Sequence, residues 1–92
     1  MVIDYKIIGK RIKNARKEIN MTQEVLAEKA DVSVGYISQI ERGICKVNLD
    51  TLAIIANILN CDVSFLIDGM KLSIILDTFS SNKFQAAMLR LS

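Results

Sequence analysis

Residues 22–43, TQEVLAEKADVSVGYISQIERG, constrain the fold of this chain more than any other stretch, because two helix starts follow one another closely within them. Thr22 can accept a hydrogen bond from the free amides of a helix that begins at Gln23. Ser33 can do the same for a helix that begins at Val34. So little chain separates the two starts that only a tight turn fits between the helices. The stretch therefore predicts two short helices joined by a turn.

The small side chain of Ala27 indicates how this pair of helices packs. Helices joined by about three or four residues cross at a steep angle and approach closely, and a methyl group fits at such a crossing. The other apolar side chains recur at spacings that face a common core. They are Leu26, Ala30, Val32, Ile37 and Ile40.

Composition favours a single all-α domain. The chain has 92 residues, no proline and four glycines, which suits helices with short connections. Hydrophobic residues make up 51% of the chain and aromatic residues only 5%, so we expect an aliphatic core. This apolar share is high for a small domain, whose large surface leaves apolar side chains uncovered. Burial in a dimer interface would cover part of it.

The basic charge lies in the first half of the chain. Residues 1–46 contain nine Lys or Arg against six Asp or Glu, a net charge of +3, whereas residues 47–92 contain three against four, a net charge of −1. Such a charge run can simply be a solvated helix face, or it can attract a polyanion over a distance. Its members on the first predicted helix are Lys6, Lys10, Arg11, Lys13, Arg16 and Lys17.

Several classes of protein lack support in the sequence. The chain has no histidine, no nucleophile beside a base and no glycine-rich phosphate loop, so neither an enzyme nor a cofactor is predicted. Cys45 and Cys61 lack the paired spacing of a zinc site, so no metal is expected. Both are interpreted as reduced thiols, and a redox switch at Cys45 is the alternative. No apolar run reaches the length of a signal peptide or membrane span, which predicts a cytoplasmic protein.

Ten residue types at fixed offsets resemble the DNA-binding helix-turn-helix of the phage repressor and Cro family, the Xre-type regulators. Asp31 departs from the family pattern, which usually has glycine in the turn. That position normally takes a left-handed backbone, which Asp tolerates at a cost of roughly 1 kcal/mol. The resemblance covers about residues 8–69 and implies a five-helix, lambda-repressor-like all-α domain. The ten residues are Gln23, Leu26, Ala27, Ala30, Val32, Ile37, Ser38, Ile40, Glu41 and Gly43.

Three further helices are predicted around the central pair. The first covers residues 3–20, and the fourth covers residues 49–59 after an Asn48 cap. The fifth follows an Asp62 cap and ends before Gly69, while Gly43 is expected to end the third helix. The expected core residues are Ile8, Ile12, Ala15 and Ile19 in the first helix, Leu49, Leu52, Ala53, Ala56 and Leu59 in the fourth, and Val63, Phe65 and Leu66 in the fifth.

Residues 70–92 form a separate apolar extension beyond the 1–69 helix-turn-helix domain. Apolar residues recur at helical spacing on either side of Ser80, Ser81 and Asn82, which predicts two short helices. A strand over residues 72–76 is the alternative. The extension is too apolar to stay in water, so we expect it to dimerise the chain, bind a partner or pack on its own domain.

The third helix, residues 34–42, is the predicted recognition helix. Gln39 can pair with adenine, Val34 can touch a thymine methyl group, and Arg42 can reach a phosphate or a guanine. Tyr36 can contact the DNA backbone or stay partly buried against the second helix, and Ser38 can pack at the helix junction instead of reading bases. Because Ile37 and Ile40 face inward, the residues left outward are Ser33, Val34, Gly35, Tyr36, Ser38, Gln39 and Arg42.

The family resemblance implies further residue roles outside the recognition helix. Gln23, Lys46 and Asn48 would hold DNA phosphates at helix starts, where amides are unpaired. Arg16 and Glu41 would form a partly buried salt bridge of structural importance.

The sequence therefore predicts a DNA-binding transcriptional regulator. We expect a repressor that binds double-stranded DNA as a homodimer at a near-palindromic operator, since one such domain contacts little DNA. The alternative is an antitoxin or protein-interaction module in which the apolar extension binds a toxin or another protein antagonist.

Overall fold

A computed structural model describes residues 3–70 of the chain, and the predicted all-α fold is confirmed there. The five helices are α1 (Tyr5–Glu18), α2 (Gln23–Ala30), α3 (Val34–Arg42), α4 (Leu49–Ile58) and α5 (Val63–Leu66), and these residues contain no strand. None of the five helices is long and apolar enough to cross a membrane. The predicted helices or strand beyond Met70, and the predicted role of that extension in dimerisation, lie outside the described residues.

Polar side chains cap three of the helices as the sequence predicts. The Thr22 hydroxyl accepts a hydrogen bond from the Val25 amide at 3.1 Å. The Ser33 hydroxyl accepts one from the Tyr36 amide at 3.0 Å, and Asn48 Oδ1 accepts one from the Thr51 amide at 2.7 Å. Asp62 takes the N-cap position of α5, but its side chain makes no capping hydrogen bond, contrary to prediction.

The first helix is shorter than predicted at both ends. Asp4 caps α1 by accepting hydrogen bonds from the amides of Lys6 and Ile7 at 3.0 and 3.2 Å, so the helix begins at Tyr5. The helix ends at Glu18, and Asn20 then takes a left-handed backbone with φ of 56°. Ile19 therefore lies beyond the helix and is 45% exposed, and its predicted place in the core was wrong.

The core is aliphatic and draws on every helix. Its fully buried members include Ile8 and Ile12 of α1, Leu26 of α2, Ile37 of α3 and Ile55 of α4. Ala15, Val32 and Val63, which were predicted to be core residues, are only half-buried and pack against this centre; Ala30 is also half-buried.

The buried face of α4 differs from the predicted one. Leu52, Ile55 and Ala56 point into the core, whereas Leu49 is 60% exposed and Ala53 is also exposed. Apolar residues occupy nearly every side of this helix, so their spacing did not select one face. Val47, in the loop that precedes α4, is buried and belongs to the core.

Helix α5 turns only one large side chain fully inward. Leu66 is completely buried, while Phe65 is 53% exposed, and its predicted inward orientation was wrong. A helix of four residues makes about one turn and so presents a single position to the core.

Arg11 joins α1 to α5, a role that the sequence did not indicate. Its Nη1 donates hydrogen bonds to the carbonyl oxygens of Phe65, Leu66 and Asp68 at 3.4, 3.3 and 2.7 Å. Carbonyls at a helix C-terminus lack partners within the helix and attract cations. Arg11 therefore belongs to the structure of the domain, not to a solvated charge face.

Gly9 sets the closest approach between α1 and α3. A Cβ atom at this position would lie 2.5 Å from the carbonyl oxygen of Glu41 and would also collide with the carbonyl oxygen of Ile40. Both obstacles are backbone atoms, so α1 and α3 touch through their main chains. Only glycine permits this contact without a shift of one helix.

Candidate nucleic-acid interface

Helix α3 has one buried and one exposed face. Ile37 and Ile40 are buried in the core, while Val34, Gly35, Gln39 and Arg42 are exposed. Ser33, the exposed N-cap, lies at the start of the same surface. Tyr36 and Ser38, also predicted to face outward, are half-buried and contribute less of their surface.

Both ends of α3 are fixed by their local sequence. Ser33 caps the first turn, and Gly43 ends the helix with a left-handed backbone, φ of 73°. At the preceding turn Asp31 has φ of 58° and ψ of 45°, the left-handed conformation expected there. The turn between α2 and α3 therefore keeps the expected backbone without the glycine that the family usually has.

Arg42 is folded back along its own helix. Its Nε donates a hydrogen bond of 3.4 Å to the carbonyl oxygen of Ser38. Its two terminal nitrogens have no hydrogen-bond partner within residues 3–70, so they can donate to an anion.

Two predicted phosphate contacts lie immediately before α4. Lys46 is exposed in the loop before this helix, and Asn48 is exposed at its start. The Oδ1 atom of Asn48 is already occupied by the Thr51 amide at 2.7 Å. The side-chain NH2 group of Asn48, which only donates, is therefore the part that can reach a phosphate.

Arg16 and Glu41 form the ion pair that the resemblance implies. Arg16 Nε donates to Glu41 Oε2 at 2.6 Å and Nη2 donates to Glu41 Oε1 at 3.0 Å, so the pair is bidentate. Arg16 Nη1 also donates to the carbonyl oxygen of Met21 at 2.7 Å. The hydrogen bond to Glu41 is the main cause that raises the pKa of Arg16, with desolvation acting in the opposite direction.

Gln23 joins this ion pair, which the sequence did not reveal. Its Nε2 donates to Glu41 Oε1 at 2.9 Å, and the side chain is half-buried. The carboxylate of Glu41 thus connects α1, α2 and α3 at one point.

The cationic residues of α1 separate into two groups. Arg11 and Arg16 are bound to protein oxygens, as described above. The remaining four are exposed and recur at intervals of four, three and four residues, which places them on one helix face. They are Lys6, Lys10, Lys13 and Lys17.

Two short helices that cross closely, with an exposed polar face on the second, define a helix-turn-helix protein. The chain belongs to the helix-turn-helix family HTH_3, whose model matches residues 12–66, more than half of the chain. The resemblance to the Xre-type phage repressors is thereby confirmed.

A curated relative is the immunity repressor protein of Bacillus phage phi105. It is 43% identical over 60 residues, which is 65% of this chain and 42% of the relative. The chain thus spans less than half the length of that protein.

Two solved structures resemble the fold closely. One is SinR, the master regulator for biofilm formation, in complex with DNA; it is 39% identical, with a TM-score of 0.63 over 66% of this chain and 98% of that one. The other is the P22 c2 repressor in complex with a synthetic operator, 32% identical, with a TM-score of 0.63 over 67% of this chain and 94% of that one.

Proposed function

We propose that this chain is a sequence-specific DNA-binding transcriptional regulator, and that it represses by occupying a near-palindromic operator as a homodimer. The observation that carries the proposal is the division of α3 into a buried apolar face and an exposed polar face. A capped, rigid helix of this kind fits the major groove of B-DNA. Repression is favoured by the phage repressors among the similar proteins.

The exposed face of α3 supplies the base contacts. Gln39 makes a bidentate pair with adenine, and Val34 contacts a thymine methyl group. Outside its own helix backbone and chain neighbours, Gly35 has no atom nearer than 4.0 Å to the position of a Cβ, so its surface is open to close approach by DNA. Arg42 uses its terminal nitrogens on a phosphate or a guanine. Tyr36, half-buried, contributes through its hydroxyl to the sugar-phosphate backbone.

Contacts to phosphates orient α3 in the groove. Gln23 serves at the start of α2, while Lys46 and Asn48 serve at the start of α4. Phosphate contacts fix the register of a protein on the duplex without reading sequence. The exposed lysines of α1 add long-range attraction to the DNA.

A homodimer is proposed because one recognition helix reads few base pairs. Two copies related by a twofold axis would place two α3 helices about one helical turn of DNA apart. We assign the dimer contact to the apolar extension, residues 70–92, and the site of action to the cytoplasm, with no cofactor required.

Exposed apolar side chains favour a second candidate function. Leu49, Ile54 and Phe65 are 60%, 49% and 53% exposed, so these apolar side chains are available for contact with a protein partner. An antitoxin or interaction module would use such side chains, together with the extension, to bind a toxin or a protein antagonist. Copurification of a cotranscribed partner would distinguish this candidate.

Binding of the full chain to a fluorescent duplex from the DNA upstream of its own gene tests the first proposal. We expect specific binding that weakens steeply as salt rises, and weaker binding by Gln39→Ala and Arg42→Ala. Asn57→Ala is the matched control, because Asn57 is exposed on α4 and belongs to no proposed contact. Affinity equal to that for random duplex, unchanged by either α3 substitution, would refute the proposal.

A further inference from the structure

Glu41 lies where three helices meet and accepts hydrogen bonds from two of them. It belongs to α3, yet its carboxylate accepts from Arg16 of α1 and, at 2.9 Å, from the side-chain amide of Gln23 of α2. Only 2% of the Glu41 side chain is exposed. A buried carboxylate with these partners is held in a single position.

An acceptor-only partner fixes the orientation of the Gln23 amide. A glutamine side chain ends in an NH2 group, which donates two hydrogen bonds, and an oxygen, which only accepts. Because the Glu41 carboxylate only accepts, the NH2 group of Gln23 must face it; the reversed amide would set two oxygens against each other. The second N–H of that group has no partner within residues 3–70 and diverges from the first.

A DNA phosphate, like a carboxylate, only accepts hydrogen bonds. We propose that Glu41 is a positioning residue for DNA binding: it holds the Gln23 amide so that the second N–H is free for a phosphate. This inference rests on the proposed DNA-binding function. The phosphate contact of Gln23, at the start of α2, then depends on Glu41 of the recognition helix. Contact with the DNA backbone is thereby coupled to the reading of bases.

Arg16 allows the Glu41 carboxylate to lie near the DNA phosphates. An unpaired carboxylate beside the DNA backbone would repel phosphates and disfavour binding. The bidentate pair with Arg16, at 2.6 and 3.0 Å, compensates the charge of Glu41 while leaving Oε1 able to accept from Gln23.

A double-mutant cycle on the full chain separates positioning from a purely structural role. Gln23→Ala, Glu41→Gln and the double variant are compared in the duplex-binding assay, with each affinity expressed per folded molecule from the folded fraction measured by circular dichroism. We expect each single substitution to weaken binding about fivefold, the equivalent of one ordinary hydrogen bond, and the double variant to lose no more than about fivefold. Both substitutions remove the same phosphate contact of Gln23, so the double variant cannot lose that contact a second time.

Two results would overturn the positioning role. One is unchanged affinity per folded molecule in Glu41→Gln; the other is losses that multiply to about 25-fold in the double variant, as independent sites would give. Ile55→Val is the control for lost stability, because Ile55 is buried in α4, which supplies no residue to the hydrogen bonds of Glu41, and the affinity of this variant per folded molecule should equal that of wild type. If wild type prefers its own duplex but the losses multiply, only this inference fails. If wild type binds a random duplex equally well, both proposals fail.

The side-chain amide protons of Gln23 provide a second measurement, which is made on the wild-type chain and uses a variant only for signal assignment. The two Hε2 protons of Gln23 are assigned in the NMR spectrum of the wild-type chain by the signal that disappears in Gln23→Ala. Before DNA is added, their chemical shifts should be more widely separated than those of a freely exposed glutamine. One proton is held by Glu41, and the other has no hydrogen-bond partner within residues 3–70. The shifts of a freely exposed glutamine would refute the fixed orientation.

Discussion

Gly9→Ala tests the contact between α1 and α3 on which the position of the recognition helix depends. The new methyl group would meet the carbonyl oxygen and carbonyl carbon of Glu41 at 2.5 and 2.8 Å, so one helix must move. In an open helix the same substitution stabilises the fold by about 1 kcal/mol. Overpacking costs about 1–3 kcal/mol, and obstruction by backbone atoms favours the upper end. The expected net effect is a loss of about 2 kcal/mol.

Urea unfolding followed by circular dichroism measures this loss. A decrease of about 2 kcal/mol in the free energy of unfolding corresponds to a melting temperature lower by about 8–16 °C in a domain of this size. The m value should stay constant, because the unfolded chain and the surface it exposes are nearly unchanged.

Gly35→Ala is the matched control for the same chemical change. Gly35 is also helical, but the nearest atom to a Cβ built there is the Ser33 hydroxyl oxygen at 4.0 Å. We expect this variant to gain about 0.5–1 kcal/mol of stability. Its affinity for the duplex should nevertheless fall, because the methyl group occupies the surface proposed to approach DNA. Stabilisation of Gly9→Ala to the same extent as Gly35→Ala would refute the argument for a close helix contact.

Three further outcomes follow from single residues. Arg11→Met should lower the free energy of unfolding by about 1–2 kcal/mol, because the hydrogen bonds to the carbonyl oxygens of Phe65, Leu66 and Asp68 are lost. Lys10→Met, at an exposed position of the same helix, should change it by less than about 0.5 kcal/mol. Equal effects of the two substitutions in urea unfolding would contradict the role of Arg11. Asp31→Gly should raise the melting temperature by relieving a left-handed backbone whose cost is about 1 kcal/mol, and a fall would contradict the predicted strain. Burial and, secondarily, the charge of Asp62 raise the pKa of Cys61. The stability that this group contributes is therefore fully present below the pKa of the unfolded thiol and is lost as pH rises through the pKa of the folded thiol. In a Cys45→Ser variant, Cys61 should react with an alkylating agent more slowly in the folded chain than in urea, and equal rates would contradict the raised pKa.

Apart from the Arg16–Glu41 ion pair, which the family resemblance implied, the features that the sequence predicted correctly are those set by neighbouring residues. A capping hydroxyl at Thr22 or Ser33 acts on amides three residues away, so the identity of the cap determines where the helix begins. Gly43 and Asp31 occupy left-handed positions for the same local reason. In α3, the pattern of apolar residues identified Ile37 and Ile40 as buried, and Val34, the third branched aliphatic residue of the helix, was correctly left on the outward face.

The features that the sequence did not predict depend on residues far apart in the chain. No local pattern relates Arg11 to carbonyl oxygens at residues 65–68, or Gly9 to the backbone of α3. The prediction of the buried face of α4 failed for a different reason, which is that apolar residues occupy nearly every side of this helix. Leu49, Leu52 and Ile55 are equally hydrophobic, so only the packing of other elements decides which of them is buried.

Helix α1 contributes no proposed base contact, yet it determines where the recognition helix lies. Gly9 lets its backbone touch α3, and Arg16 holds Glu41 and, through it, Gln23 of α2. Arg11 ties the opposite side of the same helix to α5. A substitution at any of these positions should alter DNA affinity through the placement or stability of α3 or, for Arg16, through the Glu41 charge and the phosphate contact of Gln23, with no change in which bases are preferred. Substitutions of Gln39 should instead change base preference in a domain of unchanged stability, because Gln39 is exposed and makes no hydrogen bond within residues 3–70 through its side chain.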